Sequence, residues 1–101
     1  MEKNYNKLVR DKIPEILDAK GISYEKRSAS MEEYKIELVK KLDEEVKEFS
    51  EAYDPEELAD VLEVLEALKQ LPEYANVEEI RLKKKEERGG FEKKIILKGS
   101  Y

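Results

Sequence analysis

Apolar residues recur at helical spacing through two adjacent stretches in the middle of the chain, and this pattern predicts two long helices. The first helix should run from Ser30 to about Tyr53, and the second from Pro55 to Leu71. Asp54 fits an N-cap and Pro55 fits the first helical position, so a very short turn should join the two helices. A turn this short predicts an antiparallel hairpin.

Shorter helices are predicted on both sides of this hairpin. One covers about 12–20, because Pro14 suits a first helical turn and Gly21 suits the residue that ends a helix. The other begins with the capping-box pattern at 76–79 and ends near Arg88, before a pair of glycines. Together these segments predict a mainly α fold, an antiparallel helical bundle.

Two short stretches have the composition of β-strands instead. Residues 22–28 alternate weakly between apolar and polar positions, and residues 91–97 read FEKKIIL. We therefore expect a small two-stranded β element in which about 22–28 pairs with 91–97.

The length of 101 residues limits the chain to one small domain, 1–101. With 40% hydrophobic residues, many at helical spacing, the sequence is too apolar for a disordered chain. Small domains bury a low fraction of their surface, and the second long helix is apolar over more than half of its circumference. We therefore expect a homodimer, in which that helix faces its own chain on one side and a partner subunit on the other.

Charge and residue types exclude several functional classes. Acidic residues number 25 against 20 basic ones, and the net charge of −5 argues against a general nucleic-acid binder. The sequence has no cysteine and no histidine, which excludes disulfides, thiol catalysis, histidine general bases and His-ligated zinc. No stretch reads as a secretory or transmembrane segment, so we expect a cytoplasmic protein without a membrane partner.

Four acidic residues of the hairpin have spacings that suit a metal site. They are Glu45 and Glu48 on the first helix and Glu57 and Asp60 on the second. Each pair is spaced i, i+3, which places both carboxylates on one helical face. Glu48 and Asp60 are both six residues from Asp54, so they should lie at the same height, about 9 Å from the turn. All four acids intrude into apolar surface, where a carboxylate needs a partner, and a hard divalent cation would be one.

A second interpretation of these acids remains open. A chain with 25 acidic residues produces EExxE and ExxD spacings by chance, and short motifs of this kind have false matches. In that case the acids would pair with lysine or arginine across a subunit interface. The chain would then be a non-catalytic helical dimerisation module, or a nucleotide-binding regulator without turnover.

Basic residues form two clusters, each with two interpretations. The clusters are Lys7, Arg10 and Lys12 near the N-terminus, and Lys83, Lys84, Lys85 and Arg88 near the end of the last helix. The first is typical of a solvated face, and the second can complement the negative end of its helix. Alternatively, the first contacts an anion and the second is a phosphate clamp that faces the four carboxylates.

Three stretches of the chain resemble the MazG-type all-α nucleoside triphosphate pyrophosphohydrolases, and most closely their short, single-domain house-cleaning group. They are YNKLVRDKIPEI at 5–16, KLDEEVKE with EELADVLEV between 41 and 64, and KKKEERGGF at 83–91. The paired EExxE and ExxD motifs are shared with related dUTPases and phosphoribosyl-ATP pyrophosphohydrolases. Their combination with NKLVRDKIPEI and RGGF is more specific.

The resemblance implies an all-α pyrophosphatase bundle, assembled as a homodimer and sometimes as a dimer of dimers. It implies a Mg²⁺-dependent enzyme, with Mn²⁺ as a substitute, that splits the α–β phosphoanhydride of a nucleoside triphosphate into a monophosphate and pyrophosphate. Noncanonical nucleotides are the expected substrates. The family's metal ligands map onto Glu45, Glu48, Glu57 and Asp60, with Glu44 as the other acid of the EExxE motif.

Ordinary phosphate chemistry then suggests roles for the remaining candidates. The catalytic acids are expected among Glu44, Glu45 and Glu48, of which Glu44 or Glu48 would orient the attacking water. The departing pyrophosphate would be held by basic side chains: Lys7, Arg10, Lys12, Lys84, Lys85 and Arg88.

Overall fold

The computed structural model of this chain describes residues 6–100, and every regular element in that range is helical. The elements, in chain order, are α1 (Ile13–Ala19), α2 (Met31–Ala52), α3 (Pro55–Lys69), a 3-10 helix (Pro72–Tyr74) and α4 (Val77–Arg88). This order confirms the predicted mainly α fold, whereas the pyrophosphatase type of bundle stays a prediction. Within the described range, no helix has the length and apolar character needed to cross a membrane.

The backbone divides into two compact units. The first extends to Leu68 and contains α1, α2 and nearly all of α3. The second begins at Lys69 and contains the 3-10 helix, α4 and the C-terminal segment. The acidic hairpin therefore belongs to the first unit and the lysine-rich helix α4 to the second. The prediction of one domain over 1–101 stays a prediction.

Capping hydrogen bonds fix the ends of the hairpin helices. The Ser30 hydroxyl accepts a hydrogen bond from the Glu33 N–H at 3.2 Å, so the predicted cap begins α2. Tyr53 ends α2 in the left-handed conformation, at φ 55°. Asp54 then accepts a hydrogen bond from the Glu57 N–H at 2.9 Å, which begins α3. The predicted turn between the two helices is confirmed.

The boundaries of α1 and α4 agree with the sequence signals except at one cap. Gly21 follows α1 with φ 70°, and the Gly89 N–H closes α4 on the Lys85 carbonyl at 2.7 Å. The capping box predicted to begin at Asn76 is wrong, because this described side chain makes no capping hydrogen bond. Its backbone lies at φ −102° and ψ 10°, outside the extended region that N-caps typically adopt.

The predicted β element is also wrong, since residues 6–100 contain no strand at 22–28 or at 91–97. A turn interrupts the second stretch, where the Lys94 N–H donates to the Phe91 carbonyl at 3.1 Å. Lys94 itself has φ 57°. A residue in the left-handed region breaks the extended backbone that strand pairing needs.

Side-chain contacts, rather than strand pairing, tie the stretch 22–28 to its neighbouring helices. The Tyr24 hydroxyl donates to Asp18 of α1 at 2.8 Å. The Arg27 guanidinium donates two hydrogen bonds to the Glu33 carboxylate of α2, at 2.6 and 2.7 Å. Two side chains of this stretch, Tyr24 and Arg27, therefore have local partners in α1 and α2.

The buried apolar core of the first unit is small. Its buried members in the described range are Leu38 of α2 with Val61 and Val64 of α3. A second apolar strip on α3, spaced i, i+4 and i+7, remains 39–55% exposed and consists of Leu58, Leu62 and Leu65. We call these three residues the α3 strip. A single chain thus buries one apolar face of α3 and leaves another exposed.

We expect Ser30→Ala to lower the free energy of unfolding by about 1 kcal/mol, because the first turn of α2 would lose its capping acceptor. For a domain of this size, the melting temperature should fall by about 4–8 °C. Thermal unfolding followed by circular dichroism measures the change. Ser28→Ala, in the same stretch but outside the cap, is the control, and equal effects of the two substitutions would contradict the capping role.

Candidate metal centre

Glu45 of α2 is a buried acidic residue, with only 7% of its surface exposed. Lys41, one helical turn earlier, places Nζ 3.5 Å from Glu45 Oε1. The other oxygen, Glu45 Oε2, is buried and has no hydrogen-bond partner among the described residues. A buried carboxylate oxygen without a partner is costly, so this position favours a cation or a proton.

Two acids of α3 converge on Glu45. Glu57 and Asp60 lie one helical turn apart, and each offers a carboxylate oxygen. These two oxygens and one oxygen of Glu45 all lie within 4.8 Å of one another. Glu57 Oε2 is also buried, and nothing in the described part of the chain satisfies it by a hydrogen bond. We call Glu45, Glu57 and Asp60 the acid cluster.

The electrostatics of the acid cluster disfavour three ionised carboxylates. Burial raises the pKa of Glu45, and the nearby charges of Glu48 and Asp60 raise that pKa further. Lys41 acts on this pKa in the opposite direction without reversing the shift. Burial likewise raises the pKa of Glu57, and the charges of neighbouring acids add to the effect. A bound cation would relieve both effects.

Glu48, the fourth predicted metal ligand, lies beside the acid cluster. Its side chain is exposed, and within residues 6–100 its carboxylate is outside the group of oxygens that converge within 4.8 Å. It is still close, because its charge helps to raise the pKa of Glu45. The structure therefore brings three of the four predicted ligands together and places the fourth at their exposed side.

The N-terminal basic residues contact the acids of the hairpin. Arg10 Nη2 donates to Asp60 Oδ1 at 2.7 Å, so this guanidinium reaches a member of the acid cluster. Lys7 Nζ lies 3.5 Å from Oε1 of Glu44, the other acid of the EExxE motif. Lys12 is exposed at the N-terminal end of α1.

The C-terminal basic residues lie on α4, in the second unit. Lys84, Lys85 and Arg88 are exposed there, and Lys85 and Arg88 occupy the last helical turn. Cations at that position stabilise the negative end of a helix, which is one of the two interpretations of this basic cluster. Their contact with a substrate phosphate stays a prediction.

The contacts that Lys41 and Arg10 make with acids of the site were not predicted from the sequence. Lys41 approaches Glu45 at 3.5 Å and Glu44 at 3.7 Å, and its i, i+4 spacing to Glu45 is a signal that indicates the contact. Arg10 and Asp60 are 50 residues apart, and no local pattern indicates that they meet. The first pair is readable from a helical wheel, whereas the second depends on the tertiary fold.

The donor atoms of the acid cluster suit a hard divalent cation. Mg²⁺ takes oxygen ligands and usually binds one or two carboxylates together with waters and substrate phosphates. The two buried oxygens without a hydrogen-bond partner in the described chain, Oε2 of Glu45 and Oε2 of Glu57, are the observation that fits such an ion. Glu45, Glu57 and Asp60 could hold it, with Glu48 beside them.

We expect Glu45→Gln to raise the melting temperature of the metal-free protein at neutral pH. The folded-state pKa of Glu45 lies above its ordinary value of 4.5, so the folded protein binds this proton more tightly than the unfolded chain does. The wild-type protein therefore loses stability as the pH rises from 4.5 through the raised pKa, and the variant avoids this loss. Its advantage should disappear as the pH falls to 4.5 and below.

Melting curves across this pH range measure the difference between the two proteins. The matched control is Glu63→Gln on the exposed face of α3, which should show no such pH-dependent gain. A lower melting temperature for Glu45→Gln at neutral pH would mean that the contact with Lys41 outweighs the cost of burial.

Comparison of the chain with protein-family models, with curated proteins and with solved structures finds no match.

Proposed function

We propose that this protein is a Mg²⁺-dependent nucleoside triphosphate pyrophosphohydrolase, with Mn²⁺ as a substitute ion. It would cleave the α–β phosphoanhydride of noncanonical nucleotides and release a nucleoside monophosphate and pyrophosphate. The observation that carries this proposal is the buried Oε2 of Glu45, which lies in the acid cluster and has no hydrogen-bond partner in the described chain. The resemblance of the hairpin motifs to MazG-type enzymes supports the same activity.

Some of the acids would bind the metal ion, and another would orient the attacking water. Glu45, Glu57 and Asp60 would hold the ion, and Glu48 would complete the set from the exposed side. When bound, Mg²⁺ would offset charge on the phosphates and lower the pKa of a coordinated water. Glu44 or Glu48 would orient the attacking water and accept its proton, because a general base must be near the ion but not fully engaged in holding it.

Basic side chains would hold the departing pyrophosphate. Arg10 and Lys7 are the best supported, since Arg10 contacts Asp60 of the acid cluster and Lys7 contacts the neighbouring Glu44. An arginine can donate two parallel hydrogen bonds to a phosphate. The remaining candidates rest on general phosphate chemistry: Lys12, Lys84, Lys85 and Arg88.

We also propose that the protein is a homodimer, with a dimer of dimers as the larger assembly. The α3 strip supports a partner subunit, because its three leucines are 39–55% exposed in the single chain. Burying such a strip against a second copy would remove apolar surface from water, which is the dominant favourable term in most protein association.

A second candidate function is a non-catalytic helical module whose acids are neutralised by basic side chains. The observation that favours it is a set of ion pairs within one chain: Arg10 with Asp60, Lys7 with Glu44, and Lys41 with Glu45. These contacts lie at 2.7–3.5 Å, and most of the side chains are exposed, where an ion pair contributes about 0–1 kcal/mol. They leave Oε2 of Glu45 and of Glu57 without a hydrogen bond in the described chain, which is why the enzyme is the preferred proposal.

We expect the purified protein to convert a nucleoside triphosphate into a monophosphate and pyrophosphate in the presence of Mg²⁺ and not in EDTA. A panel of unmodified and damaged nucleotides, with products separated by ion-exchange chromatography, tests the reaction and ranks the substrates. Glu45→Gln should abolish turnover, because the ion would lose its buried ligand. Glu63→Gln should retain it, and full activity of Glu45→Gln would remove the assignment of the site.

Metal binding separates the two candidate functions without an activity assay. Millimolar Mg²⁺ or Mn²⁺ should raise the melting temperature of the wild-type protein, because a ligand at 100 times its dissociation constant stabilises the native state by about 2.7 kcal/mol. Glu45→Gln should lose this response. A wild-type melting temperature that does not change with either ion would favour the non-catalytic module.

We expect Leu62→Glu to convert the dimer into a monomer, because it places a charge in the middle of the α3 strip. Size-exclusion chromatography with light scattering measures the mass. Leu82→Glu on α4 is a matched control, since Leu82 is 52% exposed and Leu62 is 55% exposed. A dimer that survives Leu62→Glu but not Leu82→Glu would place the interface elsewhere.

A further inference from the structure

One side chain of the acid cluster is already engaged by a cation of the same chain. Asp60 contributes an oxygen to the cluster, and its Oδ1 accepts a hydrogen bond from Arg10 Nη2 at 2.7 Å. The two side chains are 56% and 41% exposed, so both the guanidinium and the carboxylate can be reached by a ligand from solvent. The positive charge therefore lies at the open side of the cluster, while Glu45 lies at its buried side.

We propose that Arg10 exchanges partners when ligands bind. In the metal-free protein it neutralises Asp60, and on binding of a divalent cation together with a phosphate group it leaves Asp60 and donates to the phosphate. This inference rests on the proposed metal site and adds to it a coupling between the two ligands.

A divalent cation and the Arg10 guanidinium compete for Asp60. A cation in the acid cluster would lie within a few ångströms of all three oxygens, because these are no more than 4.8 Å apart. The guanidinium would then face a double positive charge at short range, and the two cations would repel each other. Cation binding therefore weakens the Arg10–Asp60 pair, and that pair in turn weakens cation binding.

The exchange needs no rearrangement of the backbone. The Ile13 N–H donates to the Arg10 carbonyl at 3.1 Å, which ties the main chain at Arg10 to the start of α1. The long side chain can then move while its Cα stays in place. Surface ion pairs contribute little to stability because water screens them, so breaking the contact with Asp60 costs little.

A phosphate group is the partner that Arg10 fits after its release. The planar guanidinium matches a tetrahedral oxyanion through two parallel N–H donors, whereas a lysine ammonium acts as a point charge. A phosphate held by the bound cation would lie beside Asp60, where the guanidinium already is. Cation binding therefore frees Arg10 for the phosphate, and phosphate binding frees Asp60 for the cation. By thermodynamic linkage, each ligand then raises the affinity of the protein for the other.

The test is the affinity for Mn²⁺, measured by isothermal titration calorimetry in sodium sulfate and in sodium chloride at equal ionic strength. Sulfate serves as the phosphate-shaped dianion. The wild-type protein should bind Mn²⁺ about fivefold more tightly in sulfate than in chloride. Arg10→Gln should bind Mn²⁺ about fivefold more tightly than wild type in chloride, because the competitor is gone, and should not respond to sulfate.

Two further variants distinguish this exchange from a general effect of charge. Arg10→Lys keeps the positive charge beside Asp60, so its affinity in chloride should stay near that of wild type, while its response to sulfate should fall. Lys20→Gln removes one positive charge at the end of α1 and should match wild type in both salts.

Three results would overturn the exchange. In the first, Arg10→Gln binds Mn²⁺ no more tightly than wild type in chloride, and in the second, Arg10→Gln still binds Mn²⁺ more tightly in sulfate than in chloride. In the third, Lys20→Gln behaves like Arg10→Gln. In each case a wild-type protein that binds Mn²⁺ and hydrolyses nucleotides would leave the proposed function intact. A wild-type protein that binds no Mn²⁺ in either salt would overturn the metal site and the exchange together.

Discussion

One unfavourable arrangement constrains the structure, the burial of the Glu45 carboxylate next to two other acids. Glu45 is 7% exposed, its Oε2 has no hydrogen-bond partner within residues 6–100, and Glu57 and Asp60 bring further negative charge within 4.8 Å. Burial and neighbouring charge both raise the pKa of Glu45, so the ionised form of this side chain lowers the stability of the fold when no cation is bound. Such clusters persist when another part of the structure holds the helices in place.

Packing and capping provide that support. The apolar contact surface of the first unit lies on the same two helices as the acids, through Leu38 of α2 and Val61 and Val64 of α3. The short connection, with Tyr53 in the left-handed region and Asp54 capping α3, fixes where α3 begins relative to the end of α2. The carboxylates are therefore held together by hydrophobic packing and turn geometry, although their charges repel one another.

Basic side chains of the same unit offset part of this repulsion. Lys41 reaches Oε1 of Glu45 from one turn along α2, and Arg10 reaches Asp60 from the segment before α1. Arg10 and Asp60 are both substantially exposed, so their contact is easily exchanged for a contact with a ligand. A site of this kind combines a partly buried set of oxygen donors with an exposed positive charge, and this combination suits a phosphate group bound together with a divalent cation.

Local signals in the sequence determined most of the secondary structure. Ser30 with Glu33, and Asp54 with Pro55, act within one helical turn, so the first residues of α2 and α3 could be predicted from neighbouring residues alone. The local sequence signals gave a wrong cap and a wrong strand, in each case because one residue has a backbone conformation that its type does not reveal. Asn76 has the residue type of a cap without the extended backbone, and Lys94 turns in the middle of a stretch that reads as a strand.

The sequence by itself predicted that four acids of the hairpin share helical faces with apolar residues, because i, i+3 spacing and the apolar pattern define a helical face. Only the tertiary structure decided that Glu45, Glu57 and Asp60 converge while Glu48 stays exposed beside them. A helical wheel gives the direction of a side chain to within tens of degrees, whereas convergence within 4.8 Å depends on how α2 and α3 pack. The contact between Arg10 and Asp60 joins residues 50 apart, and no periodicity carries information over that distance.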